Sequence, residues 1–353
     1  YAEPEAMILA NSYPNTTYLE QLKSIFPISS QVVTFPEIPI LNDFEFSPWG
    51  WNRALLKRMQ ASGCSEKALY NKDAIDSIRL LSKRITAVNV LSNMPLSHDM
   101  CGRSSVIHSI EELHILGKQY GSFLLKSPLS SSGKGLKWCR AGIDEAAIKW
   151  CSNILKSQKV VIIEPIYSKV KDFAMEFRYS DVEGVVFVGY SSFKTSSNGS
   201  YIGNELISDE LFEHKINSLF RECNNILERV RGLLLPQLQQ IVTRGYKGYF
   251  GVDMMVCKFN SEPYYRLHPC VEINLRMNMG LVAHSIYKNF LQLDRTGIYQ
   301  IDYAKDSSII HRRHKELAEQ YPLVVKNGRI ESGYLALNAL SNESQYLAWV
   351  LIE

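Results

Sequence analysis

Residues 249–259 and 264–277, YFGVDMMVCKF and YYRLHPCVEINLRM, alternate apolar with polar side chains on either side of the four residues NSEP. A period of two is the mark of a strand, and two such runs about a short polar connection form an antiparallel hairpin. Asp253 and Glu272 are equidistant from a point between Glu262 and Pro263, so pairing about that point sets two carboxylates side by side. Pro269 donates nothing to a ladder and predicts an edge position or a bulge, with a register slip of a residue or so. The second run presents Glu272, Asn274 and Arg276 on one face, with Val271, Ile273, Leu275 and Met277 on the other. Two readings of the polar face stand at this point: the wet side of a half-buried strand, or an edge built to hold a cation.

The rest of the chain alternates short strands with helices. AMILAN, TTYLEQLKSIF and QVVTF read as strand, helix and strand; Ser47-Pro48 signals a helix start, and residues 65–95 read as helical up to SNMP. SIEELHILGKQYG predicts a helix, SFLLKSPLSSSGKGLKWCR a hairpin, DEAAIKWCSNIL a helix and KVVIIEPIY a buried strand. DFAMEFRYS and GVVFVGYSSFKT alternate as antiparallel strands, and SSNGSYIGN reads as a flexible loop. Residues 209–243 read as mostly helical with Pro236 bending or breaking them, and GYLALNAL and QYLAWVLIE close the chain as strands. The fold class expected is α/β and α+β, with domains at 1–95, 96–165, 166–300 and 301–353, the last packing on the third.

With 39 basic and 36 acidic residues the chain is too evenly charged for nucleic acid or an anionic membrane to be its main partner, and the basic cluster His311–His314 reads as a solvated face. Seven scattered cysteines without a C-x-x-C pair exclude a zinc knuckle and a disulfide framework, and point to the cytoplasm. No apolar run is long enough to predict a membrane helix.

Three places carry chemistry. Asp253, Glu272 and Asn274 offer oxygen ligands of the kind a hard cation such as Mg2+ takes when substrate phosphates complete its shell. The small residues Ser130, Ser131, Ser132, Gly133, Lys134 and Gly135 let backbone N–H groups approach phosphates, although an ordinary flexible hairpin fits the same letters. They are not a Walker A loop, since Pro128 stands at its first glycine and Gly135 where Ser or Thr should follow the lysine. Lys126, ending SFLLK just before this loop, is either a surface lysine or a point charge for phosphate oxygens.

The ordered set of Lys126, the small-residue loop, Glu164-Pro165 and the carboxylate hairpin resembles the ATP-grasp superfamily over residues 80–290. That resemblance implies two α+β subdomains clasping ATP, preceded by a small α/β domain, and an ATP-dependent ligase that joins a carboxylate to an amine through an acyl phosphate. It implies ATP and Mg2+ (or Mn2+) as cofactors, small-molecule acid and amine substrates such as an amino acid or peptide, and a homodimer. By the same resemblance Lys126 meets the α- and β-phosphates, and residues 130–135 close over them. Glu164 to Ile166 form the adenine hinge, and Glu164 or Asp172 accepts from the adenine amino group or the ribose hydroxyls. Lys83 is similar to an upstream nucleotide-contacting lysine and Lys194 to one that neutralises the γ-phosphate. Asp253, Glu272 and Asn274 match the metal ligands within E-x-N-x-R, and Arg276 faces the reacting carboxylate. The loops at 127–136 and 195–204 would exclude water. The alternatives are a nucleotide-binding regulatory protein without ligase turnover and an ATP-grasp-type kinase.

Overall fold

The strand-helix-strand start of the chain forms as expected: β1 (Met7–Ala10) and β2 (Gln31–Thr34) pair in parallel, linked by α1 (Thr16–Ile25). The structure is a computed structural model that describes residues 6–12, 15–37, 44–130, 134–196, 199–220, 225–243 and 245–353. Helix α2 (Arg53–Ala61) begins later than the Ser47-Pro48 signal implied, because Asn52 supplies the cap, its side chain accepting the N–H of Leu55 at 2.9 Å. The expected continuous helix over 65–95 is broken into a 3-10 turn at Glu66–Ala68, α3 (Lys72–Leu81) and α4 (Arg84–Ser92). The last break restarts the chain at Arg84, whose N–H bonds to the carbonyl of Pro128 at 3.0 Å.

Contacts group the chain into two units, one of residues 1–75, 202–211 and 278–353, the other of 76–201 and 212–277. The second holds two sheets. In the smaller, β3 (Ser105–Ile107), β6 (Val161–Pro165), β4 (Phe123–Lys126) and β5 (Leu136–Cys139) run antiparallel in that spatial order. Phe123, Leu125, Val161 and Ile163 turn to one face and bury against α5 (Ile110–Tyr120) and α6 (Glu145–Gln158). Gly117 permits that approach, since a Cβ there would meet Ile143 at 2.8 Å and Phe123 at 3.0 Å. The alternation leaves Lys126 and Glu164 on the opposite face.

The larger sheet of this unit places β11 (Tyr265–Asn274), β10 (Gly248–Lys258), β7 (Ser168–Ser180) and β8 (Gly184–Thr195) side by side, all antiparallel. One face carries Phe177 and Phe250, stacked at 5.5 Å between centroids, and Phe187 beneath the guanidinium of Arg231 from α8 (Ile226–Val242). Pro236 stands inside α8 without ending it. Its missing N–H removes one helical bond, and the apolar stripe of Val230, Leu234 and Leu238, all fully buried, holds the helix through that loss.

In the first unit, β9 (Tyr201–Leu206), β12 (Gly297–Tyr303), β15 (Tyr346–Ile352), β14 (Arg329–Ala336) and β13 (Val324–Lys326) make an antiparallel sheet. Strand β9 thus begins inside the stretch expected as a loop to residue 204. Helices α9 (Met279–Phe290) and α10 (Ser307–Gln320) bury Tyr287, Ile310 and Leu317, and Phe26 after α1 packs edge-on to Phe290 at 5.4 Å. Among the described residues no helix is long and apolar enough to cross a membrane, and the six described cysteines are buried free thiols.

Candidate active site

Asp253 and Glu272 are ladder partners on β10 and β11. The pairing stands where the sequence puts it, but for two reasons that offset each other. Beside the turn Lys258 pairs with Tyr265 and Met255 with His268, a register centred between Ser261 and Glu262, which if continued would set Asp253 opposite Cys270. A bulge then lets Met254 span what Pro269, Cys270 and Val271 fill on β11, and the register moves by two residues. The proline that cannot donate is where the ladder yields. A shift of two, unlike a shift of one, keeps the alternation in phase, so His268, Cys270, Glu272 and Asn274 stay on one face.

That face is strongly acidic. Asp253 is partly buried, and desolvation followed by the neighbouring carboxylates of Glu272 and Glu176 raises its pKa well above the usual carboxylate range, against the opposing pull of a hydrogen bond from Asn274 and the charge of Arg276. Arg276 donates to the side-chain carbonyl of Asn274 at 2.9 Å and to the backbone carbonyl of Met277 at 3.1 Å. Glu176, wholly buried on β7, accepts from Ser191 at 2.7 Å. The sequence reading missed Glu176, although the rule that selected Glu272 and Asn274 applies to Asp172 and Glu176 in DFAMEFRYS.

Lys126 and Glu164 form an ion pair of 2.6 Å with side chains 6% and 7% exposed. The other oxygen of Glu164 accepts from Ser104 at 2.9 Å, so both are engaged and the carboxylate holds the lysine rather than waiting for a base. His268 and Cys270 stand in the field of this pair. Burial drives the His268 pKa down to about 4, with Glu164 opposing and Lys126 adding to the shift; both ring nitrogens lack hydrogen-bond partners among the described residues. Burial, then Asp253 and Glu164, raise the Cys270 thiol far above its ordinary value. These couplings bring the Lys126 pair and the Asp253 pair into one neighbourhood.

Of the expected phosphate loop, Ser131, Ser132 and Gly133 lie outside the described residues. Its root is ordered by local bonds: Ser127 N–H to Gly135 carbonyl at 2.9 Å and Ser130 hydroxyl to Lys134 carbonyl at 2.7 Å. Gly135 has φ +67°, and a Cβ there would meet Ser127 Oγ at 2.1 Å, so only glycine closes this root. Lys83 is the N-cap of α4 and makes no side-chain capping bond. Its neighbour Arg84, which sequence reasoning passed over, is 7% exposed and donates from Nη1 to Ser127 carbonyl and Ser130 Oγ, each at 2.8 Å, and from Nη2 to Glu272 Oε2 at 3.2 Å.

Asp172 lies on the acidic face, accepting through Oδ2 from Thr195 at 2.7 Å and from Lys169. Thr195 bonds Asp172 and Ser191 bonds Glu176, which fixes the odd residues of β8 on this face; Lys194, between them, points to the other and is exposed. The structure therefore does not bring Lys194 to the group. The reason is the strand period, which a nearby charge in the sequence does not reveal. The N–H of Ile166 is bonded to Ser122 carbonyl at 3.3 Å, whereas that of Tyr167 makes no bond among the described residues. Gly199 and Leu136 bring the two expected covering loops together, a Cβ on the glycine falling 3.1 Å from the leucine side chain.

Among the described residues no three His, Cys, Asp or Glu side chains converge as a complete metal site. Asp253, Glu272 and Asn274 fit a divalent cation of another kind, held by few protein oxygens with phosphates supplying the rest. The mutual repulsion of Glu176, Asp253 and Glu272 is what such a cation relieves.

No family model matches the sequence and no curated protein matches it. Solved structures match the fold. The biotin carboxylase domain of Hydrogenobacter thermophilus 2-oxoglutarate carboxylase, in complex with MgADP, ADP and bicarbonate, aligns at TM-score 0.56 and 13% identity over 98% of this chain and 85% of that one. Staphylococcus aureus N5-carboxyaminoimidazole synthetase with ADP aligns at 0.51 and 12% over 100% and 94%. The Aspergillus clavatus N5-carboxyaminoimidazole synthase with ADP and 5-aminoimidazole ribonucleotide aligns at 0.52 and 13% over 99% and 94%. The chain has the ATP-grasp fold of these structures.

Proposed function

We propose that the chain is a Mg2+-dependent, ATP-consuming ligase that joins a carboxylate to an amine or similar nucleophile through an acyl phosphate. The observation that carries this reading is the Asp253–Glu272 ladder pair, with Asn274 and Arg276 beside it and the buried Lys126–Glu164 pair close by. The similar structures hold ADP, MgADP and bicarbonate, which supports the same class of ligand here.

In this reading Lys126, aimed by Glu164, meets the α- and β-phosphates, and the loop rooted at Ser127 and Gly135 covers them. With the Ile166 N–H engaged, the donor to the base edge is Tyr167 N–H, and Asp172 offers Oδ1 to the ribose. Asp253, Glu272 and Asn274 hold Mg2+, which when bound neutralises charge on the β- and γ-phosphates. A substrate carboxylate oxygen attacks the γ-phosphorus, the bond to the bridging oxygen breaks, and ADP leaves with that electron pair. Arg276 offsets charge on the carboxylate and then on the acyl phosphate. The nucleophile attacks the acyl carbon, loses its proton to a base, and phosphate departs with the electrons of the carbon–oxygen bond. The covering loops exclude water, which would otherwise hydrolyse the intermediate. A homodimer, a cytoplasmic setting and the division at residues 95, 165 and 300 belong to the same proposal.

Release of ADP and phosphate, screened against amino acids, short peptides, small diacids and bicarbonate, tests it. Stimulated release that Glu272→Ala abolishes is the expected result; an unaffected variant removes the metal site. Phosphate retained in a stable product turns the assignment to a kinase, and nucleotide binding without turnover to a regulatory protein.

A further inference from the structure

The basic cluster at residues 311–314 divides once α10 forms. Arg312 and Arg313 are exposed, whereas His311 and His314, three residues apart and so on one side of the helix, line a hollow of about 530 Å3. The start of α1 lines it too, through Thr17 and Gln21, and is tied to the end of β14 by the Tyr18 hydroxyl, which donates to the backbone carbonyl of Ala336. Tyr334, Leu335 and the chain just after β14 complete the lining. All these residues belong to the unit of 1–75, 202–211 and 278–353, while Lys126, Asp253 and Glu272 belong to the other. A volume of this size suits a small organic molecule.

The lining selects by charge. Among the described residues it holds no carboxylate, so it offers no counter-charge to a cation, and neither lysine nor arginine, the usual holders of phosphate. What it offers is two imidazoles. His311 Nε2 meets the carbonyl of Ser341 at 2.9 Å, and since a carbonyl only accepts, that nitrogen carries the proton and Nδ1 is left unengaged. His314 Nδ1 meets the Tyr334 hydroxyl at 2.8 Å, which leaves its Nε2 unengaged. Burial, then the charge of His311, lowers the His314 pKa, so the two rings oppose each other's protonation. An anion shared by them reverses that opposition. Beside the imidazoles stand Ala318, Leu335 and Leu340, an apolar wall. We propose that this hollow binds a small organic monocarboxylate, its carboxylate on the free nitrogens of His311 and His314 and its apolar body against Ala318, Leu335 and Leu340. Binding here needs neither nucleotide nor metal.

The experiment titrates the full chain by calorimetry with benzoate, 3-phenylpropanoate and 4-methylpentanoate, with no nucleotide or metal present, so its outcome bears on the hollow alone. The primary amide of each acid, alike in shape but uncharged, and inorganic phosphate are the controls. At least one acid should bind, at least fivefold more tightly than its amide and than phosphate. The titratable groups of the lining are the two imidazoles and the hydroxyls of Tyr18 and Tyr334, which burial keeps protonated. From about pH 8 to about pH 6 the acid stays ionised while an imidazole gains its proton, so affinity should rise at least threefold. His311→Gln and His314→Gln should each weaken acid binding at least fivefold and flatten that dependence. Ala318→Phe, a change at an exposed position of α10, fills the hollow and should weaken binding at least tenfold with helix content unchanged; it carries the test if a histidine variant fails to fold. An amide or phosphate that binds as tightly as the acid, affinity that does not change with pH, unaltered acid binding in Ala318→Phe, or no binding of any of the three acids overturns the proposal.

Discussion

Removing Lys126 should cost much more stability than removing Lys126 together with Glu164, while the two changes should have the same effect on binding. The two side chains are 6% and 7% exposed and 2.6 Å apart. Lys126→Met leaves the Glu164 carboxylate buried with only Ser104 to satisfy it, and breaking a buried pair from one side destabilises by roughly 3–5 kcal/mol. Lys126→Met with Glu164→Met replaces both charges by apolar groups of similar length, a change that is commonly neutral or stabilising. The double variant should therefore recover most of the loss, because only Ser104 is left needing a new partner, at about 1 kcal/mol. Nucleotide affinity behaves differently. A charged hydrogen bond to phosphate contributes about 1.5–3 kcal/mol, so both variants should bind ADP roughly tenfold to a hundredfold more weakly than the unaltered chain. Urea unfolding followed by fluorescence gives the first quantity and calorimetry the second. A double variant as unstable as the single one would refute the reasoning about the buried pair, and a double variant that binds ADP normally would refute the role of Lys126.

Three further outcomes follow from the same geometry. His268 is held near a pKa of about 4 by burial, against about 6.5 in an unfolded chain, so the unfolded state binds more protons between those values. Stability should fall as pH drops from about 6.5 to about 4, by at most roughly 3 kcal/mol, and His268→Leu should flatten that limb in urea titrations; an unchanged limb removes His268 as its cause. Asp253→Asn relieves repulsion from Glu272 and Glu176, so its melting temperature should exceed that of the unaltered chain without Mg2+, while added Mg2+ and ADP should raise only the unaltered protein's. Asp172→Asn should weaken ATP binding about tenfold but leave 2′,3′-dideoxy-ATP nearly unaffected, and equal losses for both would place Asp172 away from the ribose.

Strand positions of the site are legible because alternation is a one-dimensional signal. Glu272, Asn274 and Arg276 show it in adjacent letters, and the Asp253 partnership needs only a turn position. Even there the route differs from the outcome: the turn sits one residue earlier than the symmetric reading and the Pro269 bulge restores the pairing. Lys194 shows the limit of reading charge without phase, since one step along β8 moves a side chain to the other face of the sheet. Arg84 was not readable at all. Its importance depends on where α3 stops and α4 starts, and that break is set by the contact of Arg84 N–H with Pro128, a pairing between distant parts of the chain. Caps decide such boundaries, as Asn52 does for α2, and several residues in each stretch are chemically able to serve.

The charge pattern explains why these residues are costly to keep together and what their arrangement is suited to do. Glu176, Asp253 and Glu272 are opposed by Arg84 and Arg276, while Lys126 is already matched by Glu164. The carboxylates therefore exceed the guanidinium groups, and Asp253 carries a raised pKa from desolvation first and from the charges of Glu272 and Glu176 second. A sheet face whose only purpose was to meet water has no need to bury its acid, and one whose only purpose was packing has no need of charge. On the proposed reading, a divalent cation held by Asp253 and Glu272 would relieve that repulsion and would supply positive charge for phosphate oxygens near Lys126. Repulsion among the carboxylates and affinity for a metal-bound polyphosphate are then the same property of the face, so a substitution that relieves one should weaken the other.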